Sequence, residues 1–246
     1  MTMAQARGEK SKMWLFVDAA MTAAMPLLMA YALVGELAHE CIGVAAGMLF
    51  VAHLWLNRRW IAALPKGRWT ASRALGAAVT LGLALAIVVT MATGIATSRY
   101  LFAALAAHAN TTLFEFVHLV GAYWAFTLSG IHLGLNWKRV IAASRRARGV
   151  GAGGGTGTGR MSQAAAAIAT VAIAHPGLLT FFKRGAWRYL LGLAHYAPMD
   201  YAEPAWLYIA DYLLIGALFV VIGHIAGAVA TRLTKKRMQG NGTAAK

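Results

Sequence analysis

Long apolar stretches alternate with short polar segments along the whole chain. Each stretch approaches the ~20 residues that a helix needs to cross a bilayer, and none shows the strict apolar–polar alternation of a half-buried strand. The pattern predicts six membrane-spanning helices, at residues 13–33, 36–57, 74–97, 112–136, 162–182 and 205–231. The expected fold class is an all-α integral membrane protein.

The composition agrees with a membrane protein. Hydrophobic residues make up 59% of the 246 residues and charged residues 13%, and the mean hydropathy is +0.58. These values are typical of multi-pass chains rather than soluble domains. The one cysteine, Cys41, excludes a framework of internal disulfides.

The formal net charge of +15 would suggest a nucleic-acid partner in a soluble protein, but its distribution indicates membrane topology. With the N-terminus inside the cell, 19 of the 23 Lys and Arg residues fall in the N-terminal segment, the loops after the second and fourth spans, and the C-terminal tail. Such an excess is typical of cytoplasmic segments. We therefore expect a protein of the bacterial inner membrane, in contact with lipid and not with nucleic acid, with both termini in the cytoplasm.

Two of the predicted spans carry the same histidine pattern. His39 and His53 are 14 residues apart, as are His118 and His132, and both segments read H-x13-H-L-x-L-N with a basic end. Fourteen helical residues advance ~21 Å and return to within ~40° of the same face. Each helix thus offers one imidazole near either edge of the membrane, on one side of the helix.

Spans 2 and 4 are separated by one crossing and therefore run parallel, so their first histidines lie at one depth and their second histidines at another. Two pairs of facing imidazoles are the ligand set for two stacked haems, which would be b-type because the chain has no C-x-x-C-H. The alternative is that the histidines are structural or bind another metal.

Glycines lie between the histidines of each pattern: Gly43 and Gly47 in the second span, Gly121 and Gly130 in the fourth. Two explanations fit them equally. They leave clearance for a flat cofactor, or they allow close packing of helices, as small residues commonly do in membranes.

Charged residues near the second histidines also allow more than one role. Arg58, Arg59 and Arg139 could neutralise the propionates of the inner haem, or they could only set the topology. Asp18, in the inner third of the first span, could pair with Arg58 or Arg59, bond a histidine N–H, or take up protons. An unpaired charge there would cost several kcal/mol.

A glycine-rich segment separates the fourth and fifth spans. Residues 149–154 formally match G-x-G-x-x-G, but no strand precedes them and no acidic residue follows at the spacing of a ribose contact. We interpret 149–161 as a flexible cytoplasmic linker. It divides the chain into a four-helix haem-binding module at 1–148 and a two-helix transmembrane appendage with a basic tail at 162–246.

The histidine pattern resembles the di-haem core of respiratory cytochrome b subunits, and its spacing is similar to that of ferric reductase and NADPH oxidase membrane domains. His39-Glu40, the H-L-x-L-N endings, Asp211-Tyr212 and Gly223-His224 resemble more closely a bacterial family of unknown function with a cytochrome-b-like membrane fold. The resemblance implies that His39 and His118 bind an outer haem iron, and His53 and His132 an inner one.

The expected function is that of a di-haem b-type cytochrome that carries electrons across the membrane. A quinol or a partner redox protein would be the donor, and a quinone is a candidate bound cofactor. The chain would be a membrane oxidoreductase or only its electron-transfer subunit. The alternatives are a non-redox protein that uses buried histidines and carboxylates to transport metal ions or protons, and a haem-based sensor.

Overall fold

The computed structural model describes residues 3–106, 111–148, 160–197 and 203–243, and all regular structure within these ranges is helical. The helices, in chain order, are α1 (Met3–Met29), α2 (Tyr31–Val34), α3 (Glu36–Ala63), α4 (Ala71–Ala96), α5 (Ala103–Ala106), α6 (Thr111–Leu135), α7 (Trp137–Ala147), α8 (Arg160–Lys183), α9 (Ala186–Leu190) and α10 (Ala205–Thr243). The all-helical class predicted from the sequence is confirmed.

Five segments within these helices are long and apolar enough to cross a membrane: Lys12–Met29, Glu36–Ala63, Ala71–Ala96, Thr111–Leu135 and Ala205–Lys236. They correspond to the first four predicted spans and the sixth. The fifth predicted span coincides with α8, a helix of 24 residues, although the side chains of 160–169 lie outside the described part. A multi-pass membrane protein is therefore shown, and the count of six crossings stays a prediction.

Short connections fold α1, α3 and α4 back on one another. Gly35 joins α2 to α3 with φ of +83°, a left-handed backbone conformation that glycine adopts without steric cost. At the other end of α3, the Arg73 guanidinium donates hydrogen bonds to the carbonyls of Ala63, Leu64 and Lys66. Arg73 thereby satisfies carbonyls that the end of a helix leaves without partners.

The backbones of α6 and α10 approach each other closely where the two helices cross. A Cβ atom added to Gly134 would lie 2.1 Å from the Val220 carbonyl oxygen, and one added to Gly223 would lie 2.2 Å from that of Ile131. The two backbones therefore touch, which only small residues permit. Beside this crossing lies a buried aromatic core, formed by Tyr123, Phe126, Tyr189, Tyr208, Tyr212 and Phe219.

The helices on the two sides of the glycine-rich segment share this core. α10 packs against α6, α4 and α1 as well as against α8. The packing is therefore continuous from the helices of 1–148 into α8 and α10. The domain boundaries themselves, which fall at the glycine-rich segment, stay a prediction.

A buried ionic cluster joins the end of α8 to the start of α10. The Arg184 guanidinium donates to both carboxylate oxygens of Glu203, at 2.7 and 2.6 Å, and to Asp211 at 2.8 Å. The hydrogen bonds with Glu203 are the main cause of a raised pKa of Arg184. This guanidinium lies 4.7 Å from the centre of the Tyr208 ring, so the cluster closes one end of the aromatic core.

Candidate cofactor site

The structure brings the four patterned histidines together as two pairs between α3 and α6. The ring centres of His39 and His118 are 6.1 Å apart, and those of His53 and His132 are 6.4 Å apart. We call them the first pair and the second pair. Each pair joins histidines at the same position of the two patterns, as expected for parallel helices.

The separations match those of two imidazoles that bind one metal atom from opposite sides. A metal–nitrogen bond of ~2.0–2.1 Å plus ~1.2 Å from the nitrogen to the ring centre places two such rings roughly 6.4 Å apart. The ring planes are inclined by 70° in the first pair and 75° in the second. Two rings at this spacing are too far apart for a direct hydrogen bond. A metal atom between them would give each ring a partner.

The Nδ1 atoms of three of the four histidines have hydrogen-bond partners on the side of the ring away from Nε2. His118 Nδ1 donates to the Thr90 carbonyl at 2.9 Å, and His132 Nδ1 lies 3.2 Å from Thr80 Oγ1. His53 Nδ1 lies 2.8 Å from the Asp18 carboxylate. A partner on Nδ1 fixes the tautomer and leaves Nε2 to a metal. Nε2 of His132 also lies 3.4 Å from the Asn136 side-chain nitrogen, a contact that a metal ligand there would have to replace.

A cavity lies at the first pair, enclosed by α1, α3, α4 and α6. Its volume is about 100 Å³ and it is open at one side; small-molecule and cofactor sites typically occupy ~300–1,000 Å³, so a haem-sized group would have to widen it. Apart from the two histidines and Thr90, its walls are apolar. They include Met21, Met25, Leu28, Met29, Gly43, Ala46, Gly47, Phe50, Ile87, Met91, Ala122 and Ala125.

Two buried polar atoms at this cavity have no hydrogen-bond partner: His39 Nδ1 and Thr90 Oγ1. The Leu28 backbone lies near the His39 ring but makes no hydrogen bond to Nδ1. Buried polar groups are nearly always paired in folded proteins. The unpaired atoms therefore mark this cavity as a place where a polar or charged ligand group would be accommodated.

The four glycines that the sequence singles out divide into two kinds. Gly43 and Gly47 line the cavity; a Cβ on Gly43 would meet no atom nearer than 4.0 Å, and one on Gly47 would lie 2.8 Å from Cε of the flexible Met91 side chain on α4. A Cβ on Gly121 would lie 2.6 Å from Thr90 Oγ1 on α4, and one on Gly130 would lie 2.7 Å from Phe219 Cβ on α10. Helix packing accounts for the second two, and the clearance role stays a hypothesis for the first two.

One more glycine belongs to the site and was missed in the sequence. A Cβ on Gly94 would lie 3.0 Å from Cε1 of His118, so the bare backbone of α4 lets the imidazole pack flat against it. Gly94 stands outside the histidine repeat, and nothing in its own sequence context distinguishes it from the other small residues of α4.

The basic residues lie beyond the second pair, on the exposed surface. The Arg58 guanidinium donates to the Trp55 carbonyl at 2.9 Å and lies 4.3 Å from the centre of the Trp55 ring. Arg139 donates to the Asn136 side chain at 3.2 Å, and Arg59 is exposed. These contacts keep the arginines near the end of α3 and α6, and their proposed contact with propionates stays a prediction.

The position of Asp18 distinguishes an ion pair with an arginine from a hydrogen bond to a histidine. Its carboxylate contacts His53, and no ion pair between it and Arg58 or Arg59 occurs among the described residues. Asp18 lies on α1 and His53 on α3, so the residue spacing within one helix could not predict their contact. Thr80 on α4 was also missed, although a polar residue in an otherwise apolar span is a usable signal. Thr90 contacts His118 through its backbone carbonyl, which no side-chain pattern indicates.

Glu40 is a further residue that sequence analysis underestimated. Its carboxylate accepts hydrogen bonds from the Ser98 hydroxyl at 2.8 Å and from the backbone N–H groups of residues 99, 100 and 101, at 2.7, 3.3 and 2.8 Å. It thereby ties α3, next to His39, to the loop after α4. The glutamate holds the first histidine of α3 in place without touching its ring.

In the described ranges, no three His, Cys, Asp or Glu side chains converge as a metal site made by protein groups alone. His195 packs on the Phe116 ring, with the ring centres 4.7 Å apart, away from both pairs. No protein-family model, curated protein or solved structure matches the chain. The function is therefore argued from the two histidine pairs and what surrounds them.

Proposed function

We propose that the chain binds two b-type haems, one at each histidine pair, and carries electrons across the membrane between them. The observation that supports this most directly is the spacing of the two pairs, 6.1 and 6.4 Å between ring centres. One metal atom per pair accounts for both separations, and two protein ligands per metal suit a cofactor that supplies the remaining ligands itself.

The chain's own residues would hold and insulate the cofactor. His39 and His118 supply the ligands of the first site, and His53 and His132 those of the second. Haem supplies one-electron chemistry at its iron, while the protein sets binding, orientation and local polarity. The apolar walls of the cavity at the first pair exclude water, which favours tight retention of a large, flat, mostly apolar group.

The arrangement along the helices supports a transmembrane path. Fourteen residues separate the two histidines of α3, a rise of ~21 Å out of a hydrocarbon layer of ~30 Å. The two pairs therefore serve opposite halves of the membrane. The donor and acceptor classes that we propose are a quinol or a partner redox protein, with the second pair facing the cytoplasm as the basic residues beside it indicate.

The first experiment is a pyridine haemochrome assay on purified full-length protein of known concentration. We expect two haems per chain, extractable with acidified acetone. Replacing His39 or His118 by Ala should remove the same haem, and replacing His53 or His132 should remove the other, while the control His195→Ala keeps both. A ratio of one or zero in the unmodified protein would overturn the proposal.

The second experiment tests the crossing itself. Liposomes carrying the protein would contain trapped ferricyanide and receive a quinol outside. We expect reduction of the trapped acceptor, and its loss in both His53→Ala and His39→Ala, because each variant keeps only one of the two haems. Two bound haems without electron transfer would favour the sensor role, and transport of a metal ion or proton by haem-free protein would favour the non-redox class.

A further inference from the structure

The two histidine pairs differ in the charge of the groups behind them. At the second pair, His53 Nδ1 lies 2.8 Å from the Asp18 carboxylate. At the first pair, His118 Nδ1 donates to a neutral backbone carbonyl, that of Thr90, and His39 Nδ1 has no partner. His132, the other member of the second pair, faces the neutral hydroxyl of Thr80.

A carboxylate at this position acts on a metal through the ligand. A hydrogen bond from Nδ1–H to a carboxylate makes the imidazole a stronger electron donor. The oxidised iron carries one more positive charge than the reduced iron, so it gains more from the stronger donor and from the nearby negative charge. Both effects lower the midpoint potential of the haem that His53 would bind.

The surroundings of the first pair would raise the midpoint potential of a haem bound there. Its cavity has almost no polar wall, and an apolar setting disfavours the more highly charged, oxidised form of the iron. Glu40, next to His39 in the chain, is directed to the loop at residues 98–101, where four donors stabilise its charge. It makes no hydrogen bond to the His39 ring.

The arginines near the second pair oppose Asp18 only weakly. Arg58 and Arg139 are exposed, and their guanidinium groups are engaged by Trp55 and Asn136. Charges that face water are screened over about 8–10 Å at physiological salt. The Asp18 side chain is itself 41% exposed, but its carboxylate lies 2.8 Å from His53 Nδ1 and so acts on the ligand by direct contact.

We propose, on the basis of the proposed function above, that Asp18 is a positioning residue for His53 that makes the haem at the second pair the lower-potential one. One electron then passes downhill from the haem at His53–His132, which is oxidised, to the haem at His39–His118, which is reduced. With the second pair on the cytoplasmic side, the chain exports electrons from the cytoplasmic half of the membrane to the outer half.

The test measures midpoint potentials in proteins that hold one haem each. His39→Ala leaves the second site and His53→Ala leaves the first, and optical redox titration of each gives its potential. We expect the lower value for His39→Ala. Adding Asp18→Asn to His39→Ala should shift that potential upward, and Asp18→Glu should return it toward the original value.

The matched control is Asp18→Asn with His53→Ala, where the haem at the first pair should keep its potential. A higher potential at the second site, or no shift with Asp18→Asn in haem-bound protein, would overturn the proposal while leaving the di-haem function intact. Absence of haem from the unmodified protein would instead remove the proposed function and this inference with it. Haem content and potential are separate readings, so the two failures are distinguished.

Discussion

α3 and α6 carry the same histidine pattern but are held in the molecule by different forces. α6 has seven buried residues, among them Tyr123, Phe126 and Gly134, and it packs between α4 and α10. α3 has no buried residue along its 28 positions. One copy of the histidine pattern therefore lies on α6, in the packed core, and the other lies on α3, at the edge of the molecule.

Among the described helices, α3 packs mainly against α1, and polar contacts hold its start and its second half. At one end, Glu36 pairs with Arg99 at 2.9 Å and Glu40 accepts four hydrogen bonds from the neighbouring loop. Further along, Asp18 contacts His53. The face of α3 that points at α6 has little protein to pack against, so a bound cofactor would supply the apolar contacts that α6 receives from other helices.

The largest effect is expected at the α6–α10 crossing. In Gly134→Ala the new methyl group would lie 2.1 Å from the Val220 carbonyl oxygen and 2.7 Å from the His224 nitrogen. Backbone cannot yield as a flexible side chain does, so the helices must separate. We expect a loss of about 3 kcal/mol or more of unfolding free energy, measured by thermal unfolding in detergent.

The matched control for this prediction is Gly76→Ala on α4, where an added Cβ meets no atom within 4 Å. Alanine there should stabilise the helix by up to ~1 kcal/mol. Equal stability of the two variants would mean that α6 is not held by this crossing, and the contrast between α6 and α3 would be lost.

The second effect is confined to the cavity beside α3. In Gly43→Leu the side chain would extend into the space between the first pair, where Gly43 has only Leu28 Cδ2 at 4.0 Å. We expect the haem count to fall from two to one, with the helical content and the second site unchanged. Haem assay and circular dichroism measure the two properties.

The control here is Gly76→Leu, which adds the same side chain to open surface and should retain both haems. If Gly43→Leu also retained both, the cavity could not be the place where the first haem binds. The clearance role of Gly43 would then be wrong.

A smaller effect is expected from the polar contacts that hold the start of α3. Glu40→Ala leaves one buried hydroxyl and three N–H groups without their carboxylate, and we expect a loss of about 1–3 kcal/mol with faster dissociation of the haem at the first pair. Glu36→Ala removes an exposed ion pair with Arg99 and should cost at most about 1 kcal/mol. For both variants, transfer of haem to apomyoglobin measures haem dissociation and thermal unfolding measures stability. A larger loss of unfolding free energy in Glu36→Ala than in Glu40→Ala would contradict this ranking.

The sequence alone predicted what depends on periodicity. Apolar stretches located the helices, and the 14-residue spacing put both histidines of a span on one face, because a regular helix converts spacing into position. The single crossing between the two spans then gave His39 the depth of His118, and His53 that of His132. Contacts between distant segments have no such rule. Asp18 on His53, Glu40 on the loop at 98–101, and the α6–α10 crossing depend on how whole helices dock, which spacing within one helix does not encode.

The smallest effect is expected at Thr93, whose Oγ1 lies 3.5 Å from His118 Nδ1. That contact is long for a hydrogen bond. His118 Nδ1 already donates to the Thr90 carbonyl at 2.9 Å, and Thr93 Oγ1 is satisfied by the Val89 carbonyl at 2.7 Å.

Thr93→Val should therefore change the unfolding free energy by at most about 0.5 kcal/mol and leave the potential of the haem at the first pair unchanged, because α6 fixes its histidine through packing. Asp18→Asn on the α3 side should shift a potential in the same titration. An equal shift in midpoint potential from Thr93→Val at the first pair and from Asp18→Asn at the second would contradict this. Side-chain hydrogen bonds would then hold the histidines of α6 as much as those of α3, and packing would not be the difference between the two helices.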